Sequence, residues 1–254
     1  MVATIRKYAP CDRGEKSEPT PGRFRGRCVA VTSLNPSPLR WETQRKCLQS
    51  LIDAGLDVLA VNTAAELANL DLPSGITGIA CDRVALHYDR QTQLVSSLIH
   101  LGAETGTPFL LINSDIECQG GSDLLEQALG YSDALTICVR HNYTTSMSYA
   151  RPEPDGLDAF LMTPKMARTV PRDAPLAIGK PVWDYWIPHH FRARGHPFHW
   201  ITSAVFFHQN HTIGWTQDDW TKGRDFMRAT YGVELGYGSR EFRRGLRLTQ
   251  HADG

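Results

Sequence analysis

Pro108-Phe-Leu-Leu-Ile-Asn-Ser-Asp-Ile-Glu117 is the stretch on which the reading of this chain turns. Phe109 to Ile112 form a short apolar run, the pattern of a strand buried on both faces. The run ends in Asn113, Ser114, Asp115, Ile116 and Glu117, where two carboxylates arrive two residues apart. In an α/β protein with an open parallel sheet, ligands bind at the carboxyl ends of the strands. Carboxylates at i and i+2 just past such an end can share one hard cation carrying a phosphate-rich ligand. The other reading is a polar loop that caps the next helix, a role for which Ser122 and Asp123 are better placed.

Composition narrows the classes. The 254 residues can bury a full core, and 27 basic side chains balance 27 acidic ones, with ten histidines besides. That balance speaks against a strongly basic nucleic-acid binder and against an acidic tail. The six cysteines include no C-x-x-C pair, and four lie in or beside apolar segments, as reduced core cysteines do. No apolar run approaches the roughly 20 residues needed to cross a membrane. The N-terminus lacks the apolar centre of a signal peptide. A cytoplasmic protein without a transmembrane segment is expected.

Outward from the central strand, the chain divides by texture. Residues 1–27 are polar, proline-containing and without periodicity, the composition of a flexible arm. Cys28 to Ser33 reads as the first strand, stopped by Pro36 and Pro38, and a helix follows from about Leu39 to Ala54, ended by Gly55. Val58 to Val61 and Ile76 to Cys81 are further strands, and Leu94 to Leu101 is the helix before the central strand. Beyond it come a short helix at Leu124 to Leu129 and a strand at Ala134 to Val139, with Arg140 at its tip. Strands alternating with helices imply a mostly parallel sheet flanked by helices. Thr144 to Pro154 reads as a loop over the strand ends. After it, the texture changes. Asp158 to Met162 and Ile201 to Phe207 are strand-like, Pro164 to Val170 helix-like, and four of the six tryptophans fall between Trp183 and Trp215. Aromatics at that density pack a core or form a platform for a sugar or a base. Residues 221–254 form a polar to basic end, partly helical. Neither G-x-G-x-x-G nor G-x-x-x-x-G-K-[ST] occurs, which speaks against dinucleotide-binding and P-loop domains.

Two marks in this order resemble the GT-A-type glycosyltransferases of the nucleotide-diphospho-sugar transferase superfamily. Asp115-Ile116-Glu117 after an apolar strand resembles that fold's D-x-D motif. Gly156-Leu-Asp-Ala-Phe160, followed by Ile178-Gly179 and Trp183-Asp184-Tyr-Trp186, is similar to the acceptor-side half of such enzymes. The likeness covers roughly Cys28 to Trp215. It implies a single α/β domain of the GT-A type, with residues 28–143 as a nucleotide-sugar-binding half and 144–220 as a mixed acceptor-side half.

The resemblance also implies a chemistry, the metal-dependent transfer of a sugar from a nucleotide-diphosphate donor to an acceptor hydroxyl. Asp115 would face the ribose or the metal, and Glu117 would ligate the metal, although glutamate departs from the motif's last aspartate. His208 or His211, at the end of an apolar segment, would supply a further ligand, and imidazole favours Mn²⁺ over Mg²⁺. Asp184 is the candidate general base, with Asp158 as its competitor or as a sugar-holding residue. Thr32, Ser33, Asn35, Asn62 and Asp82, with Asn113 and Ser114, would surround the donor. Arg83 or Arg140 would pair its diphosphate, since a guanidinium binds phosphate through two hydrogen bonds. Trp183 and Trp186 would stack on an acceptor, a carbohydrate in preference to DNA. Three rivals remain: a sugar nucleotidyltransferase, whose glycine-rich loop is missing from Leu34 to Pro38; a metal-dependent phosphohydrolase, which needs more carboxylates on two metals; and a non-catalytic nucleotide- or sugar-binding module.

Overall fold

Strand alternation in the central run sets the layers of the molecule. The computed structural model describes residues 5–7, 28–85, 92–120, 128–130, 133–153, 156–211 and 214–235. The first half contains β1 (Ile5–Lys7), β2 (Val29–Thr32), α1 (Pro38–Asp53), β3 (Asp57–Asn62), α2 (Ala64–Leu67), β4 (Ile76–Ala80), the short pair β5 (Val84–Ala85) and β6 (Thr92–Gln93), α3 (Val95–Glu104) and β7 (Phe109–Ile112). In β7, Phe109 and Leu111 join one hydrophobic cluster with Val29, Val31, Leu98 and Ile99. Leu110 and Ile112 join the other, with Ala30, Leu48 and Leu51. Neighbouring residues thus point to opposite faces, and both faces are covered. Each of these fully buried side chains contributes roughly 1.5–3 kcal/mol relative to exposure.

The second half contains β8 (Ile116–Cys118), β9 (Leu135–Tyr143), β10 (Arg151–Pro152), β11 (Ala159–Met162), α4 (Pro164–Ala167), α5 (Trp183–Arg192), β12 (Phe198–Gln209) and α6 (Gln217–Tyr231). The main sheet runs β1-β4-β3-β2-β7-β11-β9-β12-β8, with β10 added alongside β9. From β1 to β7 every pairing is parallel. From β7 onward the pairings are mixed: β11 is antiparallel to β7 and β9, β12 is parallel to β9, and β8 is antiparallel to β12. The expected α/β class, with a mostly parallel sheet flanked by helices and a mixed second half, is what the chain adopts.

Local chemistry explains the boundaries. Pro38 opens α1 at a position whose missing N–H has no helical partner to lose. Gly55 closes it with φ 83°, its N–H donating 2.9 Å to the Ile52 carbonyl. Two features depart from expectation. Part of the N-terminal arm, Ile5–Lys7, pairs with the open edge of β4, where a strand's unpaired N–H and C=O groups await a partner. Trp183–Arg192 forms a helix that its sequence disguises, because Pro188 lies inside it and removes an N–H from the ladder. The helix expected at Leu124 to Leu129 lies almost wholly outside the described residues, as does the basic run from Ser239 to Leu248. Among the described residues, no helix is long and apolar enough to cross a membrane.

Candidate functional site

Four chain segments meet beyond the carboxyl ends of β2 and β7 and enclose a cavity of about 670 Å³. The loop after β2 contributes Ser33 and Asn35, and the turn after β7 contributes Asn113, Ser114 and Asp115. The start of α5 contributes Trp183 and Asp184, and the end of β12 with the following loop contributes His208, His211 and Trp215. Sheet register brings distant residues into this space. Because Ala159 pairs with Ile112, Asp158 arrives beside Asn113, whose backbone N–H donates 3.0 Å to the Asp158 carbonyl. The Asn113 side-chain amide also donates 2.5 Å to Asp158 Oδ1. Because His208 pairs with Ile116, the end of β12 arrives beside Asp115.

In the cavity wall, three donor atoms converge. His211 Nε2 lies 3.0 Å from Asp115 Oδ2, and His208 Nε2 lies 3.6 Å from the same oxygen. The two Nε2 atoms are 3.3 Å apart. Atoms about 2.1 Å from a shared ion stand roughly 3.0 Å apart at right angles and roughly 3.4 Å apart in a tetrahedron. The spacing here matches that of ligands on a single cation. Two imidazoles and one carboxylate suit a transition metal better than Mg²⁺. Burial works against the charged form of Asp115, but the hydrogen bonds and charges of His208 and His211 outweigh it. They hold the carboxyl well below the usual carboxylate range.

In the same cavity, a second cluster gathers two carboxylates and one guanidinium. Arg140 forms an ion pair with Asp158, and Asp184 stands in the first turn of α5. Removal from water and the neighbouring Asp158 charge push the Asp184 carboxyl up to about 8. The Arg140 charge and backbone N–H groups at the helix start pull the other way without cancelling this. A carboxyl in that range can exchange a proton near neutral pH.

Several expected residues lie elsewhere. Glu117 does not join the histidines: its carboxylate is 2.8 Å from Lys46 Nζ and accepts from the Gln119 amide at 2.7 Å. It lines a second cavity, of about 420 Å³, beside α1, which Asp115 also borders. The reason is β8, in which Ile116 and Cys118 enter the core and Glu117 must point the other way. Thr32 is fully buried in β2. Asn62 is a clamp, exchanging hydrogen bonds of 2.8 and 2.9 Å with the backbone of Leu34, so it shapes the loop after β2 from behind. Asp82 lies away from the cavity beside Ala64, and Arg83 donates 2.8 Å to the Arg172 carbonyl, leaving Arg140 as the arginine of that pair in the cavity wall. Of the two tryptophans expected to form a platform, Trp183 lines the cavity and Trp186 does not, and both rings are almost wholly covered. Trp186 is 1% exposed and donates 3.0 Å to the Tyr231 hydroxyl, and Trp183 is 2% exposed and edge-on to Phe160.

Three contributors were not foreseen. Gln44 accepts at Oε1 from the Asn35 N–H (2.7 Å) and from the Ser114 hydroxyl (2.8 Å), tying the first loop to the central turn. Its sequence signal was a glutamine in step with Cys47, Leu48 and Leu51 on the buried side of α1. Trp215 lines the cavity while stacked on Trp220, with ring centroids 6.2 Å apart. Lys180 lies in the wall, buried against Asp219.

No protein-family model matches the chain, and no curated protein does. Among solved structures, it is similar to a protein from Bacillus anthracis assigned as a glucose-1-phosphate thymidylyltransferase and crystallised with sucrose. The TM-score is 0.47 and the identity 10%, over 84% of this chain and 98% of that one. At that distance, the chemistry has to be read from the residues themselves.

Proposed function

We propose that this cavity binds a nucleotide-diphosphate sugar with one divalent cation, Mn²⁺ in preference to Mg²⁺, and that the protein transfers the sugar to an acceptor hydroxyl. The observation that carries the proposal is the convergence of Asp115, His208 and His211 in the same cavity as Asp184. When bound, the cation neutralises the charge that grows on a departing nucleoside diphosphate. Asp115, His208 and His211 would hold it. Ser33 and Asn35 offer polar contacts to a nucleoside, and Gln44 keeps their loop in place. Arg140 places positive charge beside the leaving phosphates while its pair with Asp158 fixes its direction. Asp184 accepts the proton of the attacking hydroxyl once it is ionised. A two-metal phosphohydrolase is disfavoured, because one carboxylate rather than several meets the imidazoles among the described residues.

A second reading is sugar nucleotidyl transfer, the activity assigned to the Bacillus anthracis protein. What favours it here is the state of Asp184. A carboxyl pushed up to about 8 is mostly protonated at neutral pH, and a sugar phosphate, already anionic, attacks without a base. Product analysis separates the two. Nucleotide-diphosphate sugars of each base are incubated with Mn²⁺ and candidate acceptors, and nucleoside triphosphates with sugar 1-phosphates. Release of nucleoside diphosphate supports glycosyl transfer, and release of pyrophosphate from the second mixture replaces it with nucleotidyl transfer. Turnover in neither mixture, with no metal-dependent nucleotide binding, removes both.

A further inference from the structure

The turn that leads into α5 is strained and held from outside. Val182 has φ 81° and ψ −22°, and among the described residues it is the one non-glycine with positive φ. For a β-branched side chain this conformation is an outlier that persists only where its surroundings enforce it. Two contacts from α6 do so. Lys180 Nζ lies 2.9 Å from Asp219 Oδ2, with Lys180 5% and Asp219 1% exposed. Asp219 is itself fixed, since its carboxylate accepts from the Thr216 N–H and its own N–H donates to the Thr216 hydroxyl. One turn further on, Gly223 lets α6 approach so closely that an added Cβ would stand 2.8 Å from Val182 Cβ. Directly after Val182 come Trp183 and Asp184, and the Val182 carbonyl accepts from Tyr185 and Trp186 as the first helical bonds of α5.

We infer that Lys180, through its buried ion pair with Asp219, is a positioning residue that latches the Gly179–Val182 turn against α6 and so aims Asp184 into the cavity. The inference rests on the reading of Asp184 as the proton-accepting group. A buried ion pair is a poor source of net stability, because desolvation offsets the attraction, but it fixes one geometry against alternatives. Here the fixed geometry is a turn that the sequence alone would not choose. Burial, the Asp158 charge and the opposing Arg140 charge set the ionisation of Asp184, and they do so only while the turn holds it in place.

The test uses Lys180→Met with Asp219→Asn, which removes both charges so that neither is left buried alone. Gly223→Ala, which pushes on Val182 directly, is the second variant should the first fail to fold. In each background, melting temperature is followed from pH 4 to 9 with and without Asp184→Asn. This reports the ionisation of Asp184 whether or not any substrate is turned over. With the latch intact, the Asp184→Asn variant gains on its parent as pH rises towards about 8. With the latch broken, that gain shrinks by about half or more, as water reaches the carboxyl. Turnover of the nucleotide-sugar substrate falls in parallel by about tenfold to a hundredfold in kcat, with KM moving less than about threefold. An unchanged pH-dependent gap, or a kcat that falls only with the folded fraction, overturns the inference. If the gap shrinks but the native protein turns over no nucleotide sugar, the latch stands and the transferase reading fails.

Discussion

Two clusters in the cavity use the same residue type in opposite ways. Asp115 faces two imidazoles and is held well below the usual carboxylate range. Asp184, removed from water and near the Asp158 charge, is pushed up to about 8. Neither aspartate is special in itself. Both are partly desolvated, and the difference lies in what the neighbouring strands deliver: β12 brings histidines to one, and β11 brings Asp158 to the other. One cluster is arranged to keep a negative charge and the other to carry a proton. Sugar transfer needs both, a site for a cation on the leaving diphosphate and a group that takes a proton from the attacker.

The sharpest way to break the contrast is at Asp115. Asp115→Ala leaves two imidazoles without their carboxylate, and turnover should fall by about a thousandfold or more, as expected where a cation carries most of the charge stabilisation. Chelation of the native protein with EDTA should reproduce the loss, and Mn²⁺ should restore the native protein but not the variant. Assay of product release with and without added metal checks this.

Asp184→Asn breaks the other cluster. Activity should fall by about 10² to 10⁴, the range for losing a positioned acid or base. Stability should move the opposite way. Asp184 has a raised pKa in the fold, so its contribution is fully present below about pH 4 and is lost as pH rises through about 8. Relative to the native protein, Asp184→Asn should therefore melt roughly ten degrees or more higher at pH 9 and show little gain near pH 4. Thermal melts across that range decide it. A gain over the native protein no larger at pH 9 than at pH 4 would mean that the carboxyl ionises normally.

Metal choice sharpens the comparison with a smaller effect. Two imidazoles should make Mn²⁺ or Co²⁺ more effective than Mg²⁺ by about tenfold at equal concentration. His211→Asp should narrow that preference by supplying oxygen where nitrogen stood. A metal titration of activity for both proteins reads this directly. The smallest effect belongs to Glu117. Its partner Lys46 is more than half exposed, so Glu117→Gln should cost only about 0–1 kcal/mol. Metal dependence should be unchanged. A loss of Mn²⁺ activation in Glu117→Gln would return that carboxylate to the metal site.

The pattern of what could be read in the sequence follows the range of the interactions. The parallel half is governed by local signals: the apolar run of β7, Pro38 and Gly55 around α1, polar residues at strand tips. Asp115, His208 and His211 were legible because each ends an apolar strand. Glu117 was misplaced for want of one local step. Ile-Glu-Cys continues as a strand, and its two apolar neighbours enter the core, so the residue between them takes the other face of the sheet, where it meets Lys46. Trp183 and Trp186 were read as a platform from the density of aromatics alone, but they lie three apart on the buried face of one helix. The pairing of Asp158 with Arg140 depends on how β11 sits between β7 and β9, and no local pattern encodes such a register. The latch between Lys180 and Asp219 spans 39 residues and two helix starts, so it was invisible for the same reason.

The most direct measurement is a Mn²⁺ titration followed by electron paramagnetic resonance, with and without nucleoside diphosphate, on the native protein and on Asp115→Ala. The site described here predicts a single Mn²⁺ per chain, tightened by the nucleotide and lost in the variant. Equal Mn²⁺ uptake by the two proteins, or none by either, would contradict it.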